Sequence, residues 1–137
     1  MMSKPIHVLL VDDEELFVKN LALILKKRGL RVHGAGNGAE AVEMISVRGD
    51  DLFDVVVLDM RMPGMDGLAT LKAIREREPL MPVILLTGHS DVKQVSHALK
   101  EGIDELLLKP CPVDTLISTI ENVHERRIIA SELSQKS

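Results

Sequence analysis

Residues 55–67 read VVVLDMRMPGMDG, and this stretch decides the fold. A run of four apolar residues ends on Asp59, and a turn rich in methionine, proline and glycine follows. Such a run is typical of a buried strand, and the turn after it places Asp59 at the carboxyl edge of a sheet. Because open α/β sheets bind ligands at that edge, Asp59 is the first candidate functional residue.

Apolar runs of strand length alternate with segments of helical period along the chain. The runs predict five strands, at residues 7–11, 31–35, 53–58, 83–86 and 105–108. Apolar residues at helical spacing predict helices between them, and glycines lie where three helices should end: Gly29, Gly49 and Gly102. The alternation predicts an α/β fold, with a doubly wound five-stranded parallel sheet and helices on both faces.

Composition limits the classes of function. A chain of 137 residues, 45% hydrophobic and 28% charged, fits one soluble domain. The net charge of -4, from 17 basic and 21 acidic residues, argues against direct nucleic-acid binding. No apolar stretch suits a membrane span or a signal peptide, so a cytoplasmic location without membrane contact is expected. The single cysteine, Cys111, excludes an internal disulfide framework and fits a reducing compartment.

The C-terminal tail differs from the rest of the chain. Residues 1–124 are predicted to form the domain, and residues 125–137 a C-terminal helix extension or linker. The segment stays compatible with a helix to residue 130 and then turns polar. It has three interpretations: a frayed extension, a helix that forms a homodimer, or the start of a linker to a further domain.

Polar residues follow the predicted strands. Asp12 and Asp13 come after the first, Asp59 ends the third, Thr87 follows the fourth and Lys109 the fifth. Right-handed crossovers place strands one and three side by side, which brings the three aspartates together. Oxygen-only ligands favour Mg²⁺ over zinc. A phosphoryl group between the metal and the lysine would be neutralised from both sides, while a carboxylate attacks phosphorus.

Each of these residues also has an ordinary structural interpretation. An Asp-Asp pair before a helix can be an N-cap, and Thr-Gly or Lys-Pro can be a plain turn or strand exit. Their joint placement at the carboxyl ends of four strands is hard to explain that way. The pattern therefore favours a functional site.

Together the motifs resemble the receiver domain of bacterial two-component response regulators. Four segments carry the resemblance: VDDE at 11–14, LDMRMPGMDG at 58–67, LTG at 86–88 and LKP at 108–110. They cover roughly residues 6–123, in the family's order and spacing. The resemblance implies a flavodoxin-like sheet with strand order 2-1-3-4-5.

The resemblance also implies roles for single residues. Asp59 would be the phosphoacceptor, and Thr87 and Lys109 would hold the phosphoryl oxygens. The bond between Lys109 and Pro110 would be cis.

The implied cofactor is Mg²⁺, and its ligands follow from the same resemblance. Asp13 would bind the ion directly and Asp12 through water. Asp59 and the backbone carbonyl of Arg61 would complete the protein ligands.

One residue departs from the family pattern. The family usually carries a tyrosine or phenylalanine three residues before the strand-five lysine, where this chain has Leu106. A leucine offers neither a flat ring nor a hydroxyl group, so the usual aromatic switch is in doubt. Leu106 is either packing that follows a phosphorylation-dependent shift or ordinary core.

The sequence thus predicts a phosphorylation-activated signalling switch rather than an enzyme that turns over a metabolite. Its partners would be a sensor histidine kinase or a histidine phosphotransfer protein, and a downstream protein or attached output domain. It could act as a stand-alone receiver, a phosphorelay intermediate or the N-terminal receiver of a longer, transcriptional regulator.

Two other classes of protein remain as alternatives. One is a phosphohydrolase with an aspartyl-phosphate intermediate, which would need an acid where Arg61 stands. The other is a binding module that works without phosphorylation, which the departure at Leu106 favours slightly but the presence of every pocket residue disfavours.

Overall fold

The computed structural model describes residues 4–47, 53–60, 66–88 and 92–136. Strands and helices alternate strictly along them. Their bounds are β1 His7–Val11, α1 Glu15–Lys27, β2 Arg31–Ala35, α2 Gly38–Val47, β3 Val55–Asp59, α3 Gly67–Arg77, β4 Val83–Thr87, α4 Val92–Glu101, β5 Glu105–Leu108 and α5 Val113–Lys136. The predicted α/β alternation is therefore confirmed.

The strands form one parallel sheet in the order β2-β1-β3-β4-β5. This order confirms the doubly wound topology, in which the direction of winding reverses between β1 and β3. Every residue of β1, β3 and β4 is buried. Three central strands with helices on both faces explain why their sequences are continuous apolar runs rather than alternating ones.

Successive residues of each strand pack into different cores. Leu9, Val56 and Leu85 belong to a cluster with α2, α3 and α4, whereas Val8, Val57 and Ile84 belong to a cluster with α1 and α5. The period of two along a strand causes this division. The two cores hold the sheet rigidly, and so they fix the positions of the strand ends.

The predicted bounds of two strands need correction. β3 begins at Val55 rather than at residue 53, because Asp54 bonds to His7 through its side chain: the His7 backbone N–H donates to Asp54 Oδ2 at 2.8 Å. β3 and β4 each extend one residue further than predicted, to Asp59 and Thr87. Both candidate site residues thus lie in the ladder itself rather than in the loop beyond it.

Glycines end two helices as expected. Gly29 after α1 and Gly102 after α4 have φ angles of 93° and 96°, a left-handed conformation that side chains disfavour. Gly49 lies outside the described residues.

Helix α5 continues without a break through the boundary predicted at residue 124, to Lys136. The division of the chain at that residue stays a prediction. Among the described helices, none combines the length and apolar character that crossing a bilayer requires.

Candidate functional site

Asp12 and Asp59 meet at the carboxyl edge of the sheet. Val11 of β1 pairs with Leu58 of β3, so the residues that follow them in the chain lie side by side. Asp12 is 2% exposed and Asp59 8% exposed. Two carboxylates this deeply buried need a compensating positive charge.

Lys109 supplies that charge. Its Nζ lies 3.1 Å from Asp12 Oδ2 and 3.3 Å from Asp59 Oδ1. Partial burial by itself would lower the pKa of Lys109, but hydrogen bonds to the two carboxylates and their charges outweigh it, so the pKa is raised. The lysine is therefore a firmly held cation between the two aspartates.

Asp13 completes an acidic trio with the same two residues. Asp12, Asp13 and Asp59 each offer one carboxylate oxygen, and these oxygens lie within 4.8 Å of one another. Asp13 is exposed, so the trio opens to solvent on one side.

The trio fits a hard dication. Two oxygens bound to one Mg²⁺ at about 2.1 Å lie about 3.0 Å apart when adjacent and about 4.2 Å apart when opposite, so oxygens within 4.8 Å of one another need to close by no more than about 1.8 Å. All three donors are carboxylate oxygens, which suit Mg²⁺ better than a softer metal.

Asp12 also shapes the turn into α1. The backbone N–H of Glu14 donates to Asp12 Oδ1 at 3.0 Å. Glu14 occupies the N-cap position of α1 without a capping side-chain hydrogen bond. Asp12 thus uses one oxygen for the turn and the other for Lys109, and the N-cap interpretation accounts for only half of its contacts.

Thr87 and Lys109 are tied together through the backbone. Thr87 is fully buried at the end of β4. The backbone N–H of Lys109 donates to the Thr87 carbonyl oxygen at 2.8 Å, and the Thr87 hydroxyl lies 3.4 Å from the Gly88 carbonyl. The peptide bond between Lys109 and Pro110 is cis, as the resemblance implied.

Two further predicted residues have different outcomes. Arg61, whose carbonyl was predicted as a metal ligand, lies outside the described residues. Leu106 is half-buried and packs against the core cluster that contains Leu85 and Ala98. Its packing role is visible, and its part in switching stays a prediction.

Phe17 was not among the predicted site residues. Its ring is half-buried and packs against the cluster of α1 and α5. However, the centroid of the same ring also lies 5.1 Å from Lys109 Nζ. The usable signal was its place in the first turn of α1, four residues after Asp13.

A pair of histidines on the neighbouring strands β1 and β2 was also missed. His7 Nε2 and His33 Nδ1 lie 2.7 Å apart, and both rings contact Phe53. The usable signal was that both histidines lie on neighbouring strands and on the same face of the sheet.

The comparisons with known proteins agree with this geometry. The family model described as the response regulator receiver domain matches residues 8–121. The chain belongs to the receiver domain family.

Named relatives of this receiver domain are regulators of transcription. The transcriptional regulatory protein ZraR of Escherichia coli O157:H7 is 39% identical over 116 residues, which cover 85% of this chain and 26% of that protein. The DNA-binding transcriptional regulator NtrC of Escherichia coli strain K12 is 39% identical over 114 residues, 83% of this chain and 24% of that protein. The receiver domain thus spans about a quarter of the length of these relatives.

Solved receiver structures share the fold. A response regulator receiver domain protein from Clostridium thermocellum superposes with a TM-score of 0.84 at 33% identity, covering 90% of this chain and 98% of that one. NtrX from Brucella abortus gives a TM-score of 0.88 at 29% identity, covering 97% of this chain and 30% of that one. Both comparisons support a signalling domain as the class of protein.

Proposed function

We propose that this receiver domain is a phosphorylation-controlled switch that accepts a phosphoryl group on Asp59 with the help of Mg²⁺. The observation that carries the proposal is the placement of Lys109 between Asp12 and Asp59, beside the open acidic trio. A lysine that only neutralised buried acids would not need an exposed third carboxylate next to them.

The chemistry follows from the residues present. A carboxylate oxygen of Asp59 attacks phosphorus, and the bond from phosphorus to the nitrogen of the donor breaks, leaving its electron pair on that nitrogen. Lys109, already beside Asp59, turns its ammonium group to the incoming phosphoryl oxygens. Thr87, at the neighbouring strand end, offers its hydroxyl to another oxygen.

Asp12, Asp13 and Asp59 would hold the Mg²⁺, with water in the remaining positions. When bound, the ion neutralises charge on the transferring phosphoryl group. The trio carries three negative charges and Lys109 one positive charge, so one dication balances the site. Arg61 keeps its proposed carbonyl ligand role on the resemblance alone.

The partners are proposed from the family and from the named relatives. The phosphoryl donor is a sensor histidine kinase or a histidine phosphotransfer protein. Because the relatives are transcriptional regulators about four times as long as the segment that this chain matches, an attached output domain is favoured over a separate downstream protein. Homodimerisation and the cytoplasmic location stay predictions.

Phosphorylation is tested directly by intact mass after incubation with Mg²⁺ and phosphoramidate. The native chain is expected to gain one phosphate-sized mass, and D59N is expected to gain none. D114N is the matched control, because Asp114 is an exposed carboxylate that bonds to Arg28 on the surface.

Other outcomes would point to the other classes of protein. No mass gain in the native chain would favour a binding module that works without phosphorylation. Sustained release of phosphate from a phosphate ester would contradict the proposal that the domain turns over no metabolite, and would support a phosphohydrolase.

A further inference from the structure

We infer that Phe17 is a positioning residue for Lys109, and that the face of its ring holds the ammonium group where a phosphoryl oxygen will arrive. The inference rests on the proposed function, since it concerns the same lysine. In this role Phe17 acts through Lys109, whose ammonium group its ring contacts.

The Phe17 ring contacts the charged end of the Lys109 side chain. Lys109 Nζ lies 5.1 Å from the centroid of the Phe17 ring, within the range of a cation–π interaction. The same nitrogen bonds to Asp12, the residue after β1, and to Asp59, the last residue of β3. Side chains from the end of β1, the end of β3 and the start of α1 therefore converge on one ammonium group.

The three contacts differ in what phosphorylation does to them. Asp59 loses its role as a simple carboxylate once it carries a phosphoryl group, and Asp12 is shared with the proposed metal. The ring of Phe17 changes in neither respect. It is the one described contact of this ammonium group that stays the same before and after the reaction.

A ring is suited to this task because it is neutral. Another carboxylate would bind the ammonium group strongly and compete with the phosphoryl oxygens for it. The quadrupole of a ring attracts the cation without neutralising it, so the full charge of the lysine remains for the phosphoryl group. The Lys109 side chain is a flexible four-carbon chain with many rotamers. A contact with its ammonium group therefore reduces the number of positions that this group can occupy.

Phe17 also borders a cavity. The ring lines a space of about 510 Å³ together with Leu86, Pro110 and Cys111, next to Lys109. Shortening the side chain would enlarge that space and give the lysine room to leave the two carboxylates. A loss of activity in F17L would therefore mix positioning with packing, and the test must separate them.

The separating experiment replaces Phe17 with 3,4,5-trifluorophenylalanine, which keeps the shape of the ring and weakens its attraction for cations. The rate of Asp59 phosphorylation by phosphoramidate with saturating Mg²⁺ is expected to fall about two- to fivefold, the size of an exposed cation–π contact. The same fluorinated residue at Phe53, which lies at the opposite edge of the sheet, is the matched control and should leave the rate unchanged. F17Y keeps the ring face and is expected to retain most of the rate.

A double-mutant cycle tests whether the effect of Phe17 on the phosphorylation rate depends on Lys109. F17L should slow phosphorylation in the native background and have no further effect in K109M. An independent readout needs neither metal nor phosphoryl donor: the ε-methylene protons of Lys109 should show an upfield ring-current shift in NMR spectra, which F17L abolishes.

The outcomes are distinguishable from failure of the proposed function. If the native chain is not phosphorylated on Asp59, the proposed function fails, while the ring-current shift still tests the contact. If the native chain is phosphorylated but fluorination at Phe17 leaves the rate unchanged, or F17L slows K109M as much as the native chain, the positioning role is overturned.

Discussion

Gly67 packs directly against the backbone of Asp59. A Cβ atom at position 67 would lie 2.7 Å from the carbonyl oxygen of Asp59 and 2.6 Å from Cα of Met60, distances that real Cβ contacts do not show. The Gly67 N–H donates to the Met60 carbonyl oxygen at 2.9 Å. The start of α3 therefore sets the position of the proposed phosphoacceptor, and it can do so only without a side chain.

G67A is accordingly expected to destabilise the domain by about 1–3 kcal/mol, because the backbone on both sides must move apart. It should also slow phosphorylation of Asp59 by about tenfold or more, since misplacing a nucleophile is costly. Urea denaturation and the intact-mass assay measure the two effects. G36A is the control: its Cβ would meet only Glu40 Oε2, at 3.7 Å, and a defect equal to that of G67A would contradict the argument.

D13N is expected to weaken Mg²⁺ binding by at least about tenfold, because it removes one charged oxygen ligand of the proposed site. E14Q removes the same charge from an exposed residue outside the trio, and should change the affinity by less than about twofold at 0.15 M salt. Calorimetric titration with Mg²⁺ compares them. Equal losses in the two variants would mean that only the general negative field attracts the ion.

Arg75 joins α3 to the segment before β4 and to the segment between α4 and β5. Its Nε donates to the Gly102 carbonyl at 2.9 Å, its Nη1 to the Met81 carbonyl at 2.6 Å, and its Nη2 lies 3.5 Å from Asp104 Oδ2. Burial lowers the pKa of this guanidinium group, and the charge of Asp104 partly offsets that effect.

R75M is expected to lower the free energy of unfolding by about 2–3 kcal/mol, because two carbonyl groups lose charged donors. R126M is the matched control: Arg126 pairs with Glu105 at 3.5 Å on the surface, with side chains 59% and 44% exposed. Its loss should cost at most about 0.5 kcal/mol. Urea denaturation compares the variants, and equal costs would show that the buried bonds of Arg75 contribute little.

Burial raises the pKa of the Cys111 thiol above its usual value. Because the thiolate is the reactive form, iodoacetamide should alkylate Cys111 at pH 7.5 at least about threefold more slowly than it alkylates glutathione. The rate should rise at higher pH than for glutathione, and unfolding in urea should remove the difference. A pH profile that matches glutathione in the folded protein would contradict this expectation.

The raised pKa of Cys111 also makes the stability of the domain depend on pH. The unfolded chain releases the thiol proton at lower pH than the folded domain does, so ionisation favours unfolding. The contribution of Cys111 is complete below the pKa of the unfolded thiol and is lost as the pH rises through the folded value. C111S should remove this part of the decline of stability at alkaline pH.

The strand ends of this domain were largely predictable from the sequence. The apolar run before Asp59 and the alternation of elements predict a parallel sheet, and right-handed crossovers predict that Asp12 and Asp59 are neighbours, as they are. The full strand order was implied by the resemblance. The error at the start of β3 arose because the Asp54 side chain bonds to the His7 backbone, a contact between residues far apart in sequence. Apolar patterns carry no signal for such a bond.

Other contacts were not predictable because they depend on the angle at which a helix meets the sheet. Phe17 has the pattern of a core residue, and only the packing of α1 shows that one side of its ring faces Lys109. In the same way, a glycine that follows a turn gives no sign that it abuts the Asp59 backbone. Such contacts become visible only when the helices are packed on the sheet.

Helix α5 is about twice as long as the strands of the sheet. Its 24 residues span about 36 Å, whereas a strand of five residues spans about 17 Å. The helix starts four residues after Lys109 and passes the opposite edge of the sheet, where Ile128 and Ser131 lie near Pro82. A tilt of the helix about its first turn would therefore displace its far end about twice as far as the point at which it passes the edge of the sheet.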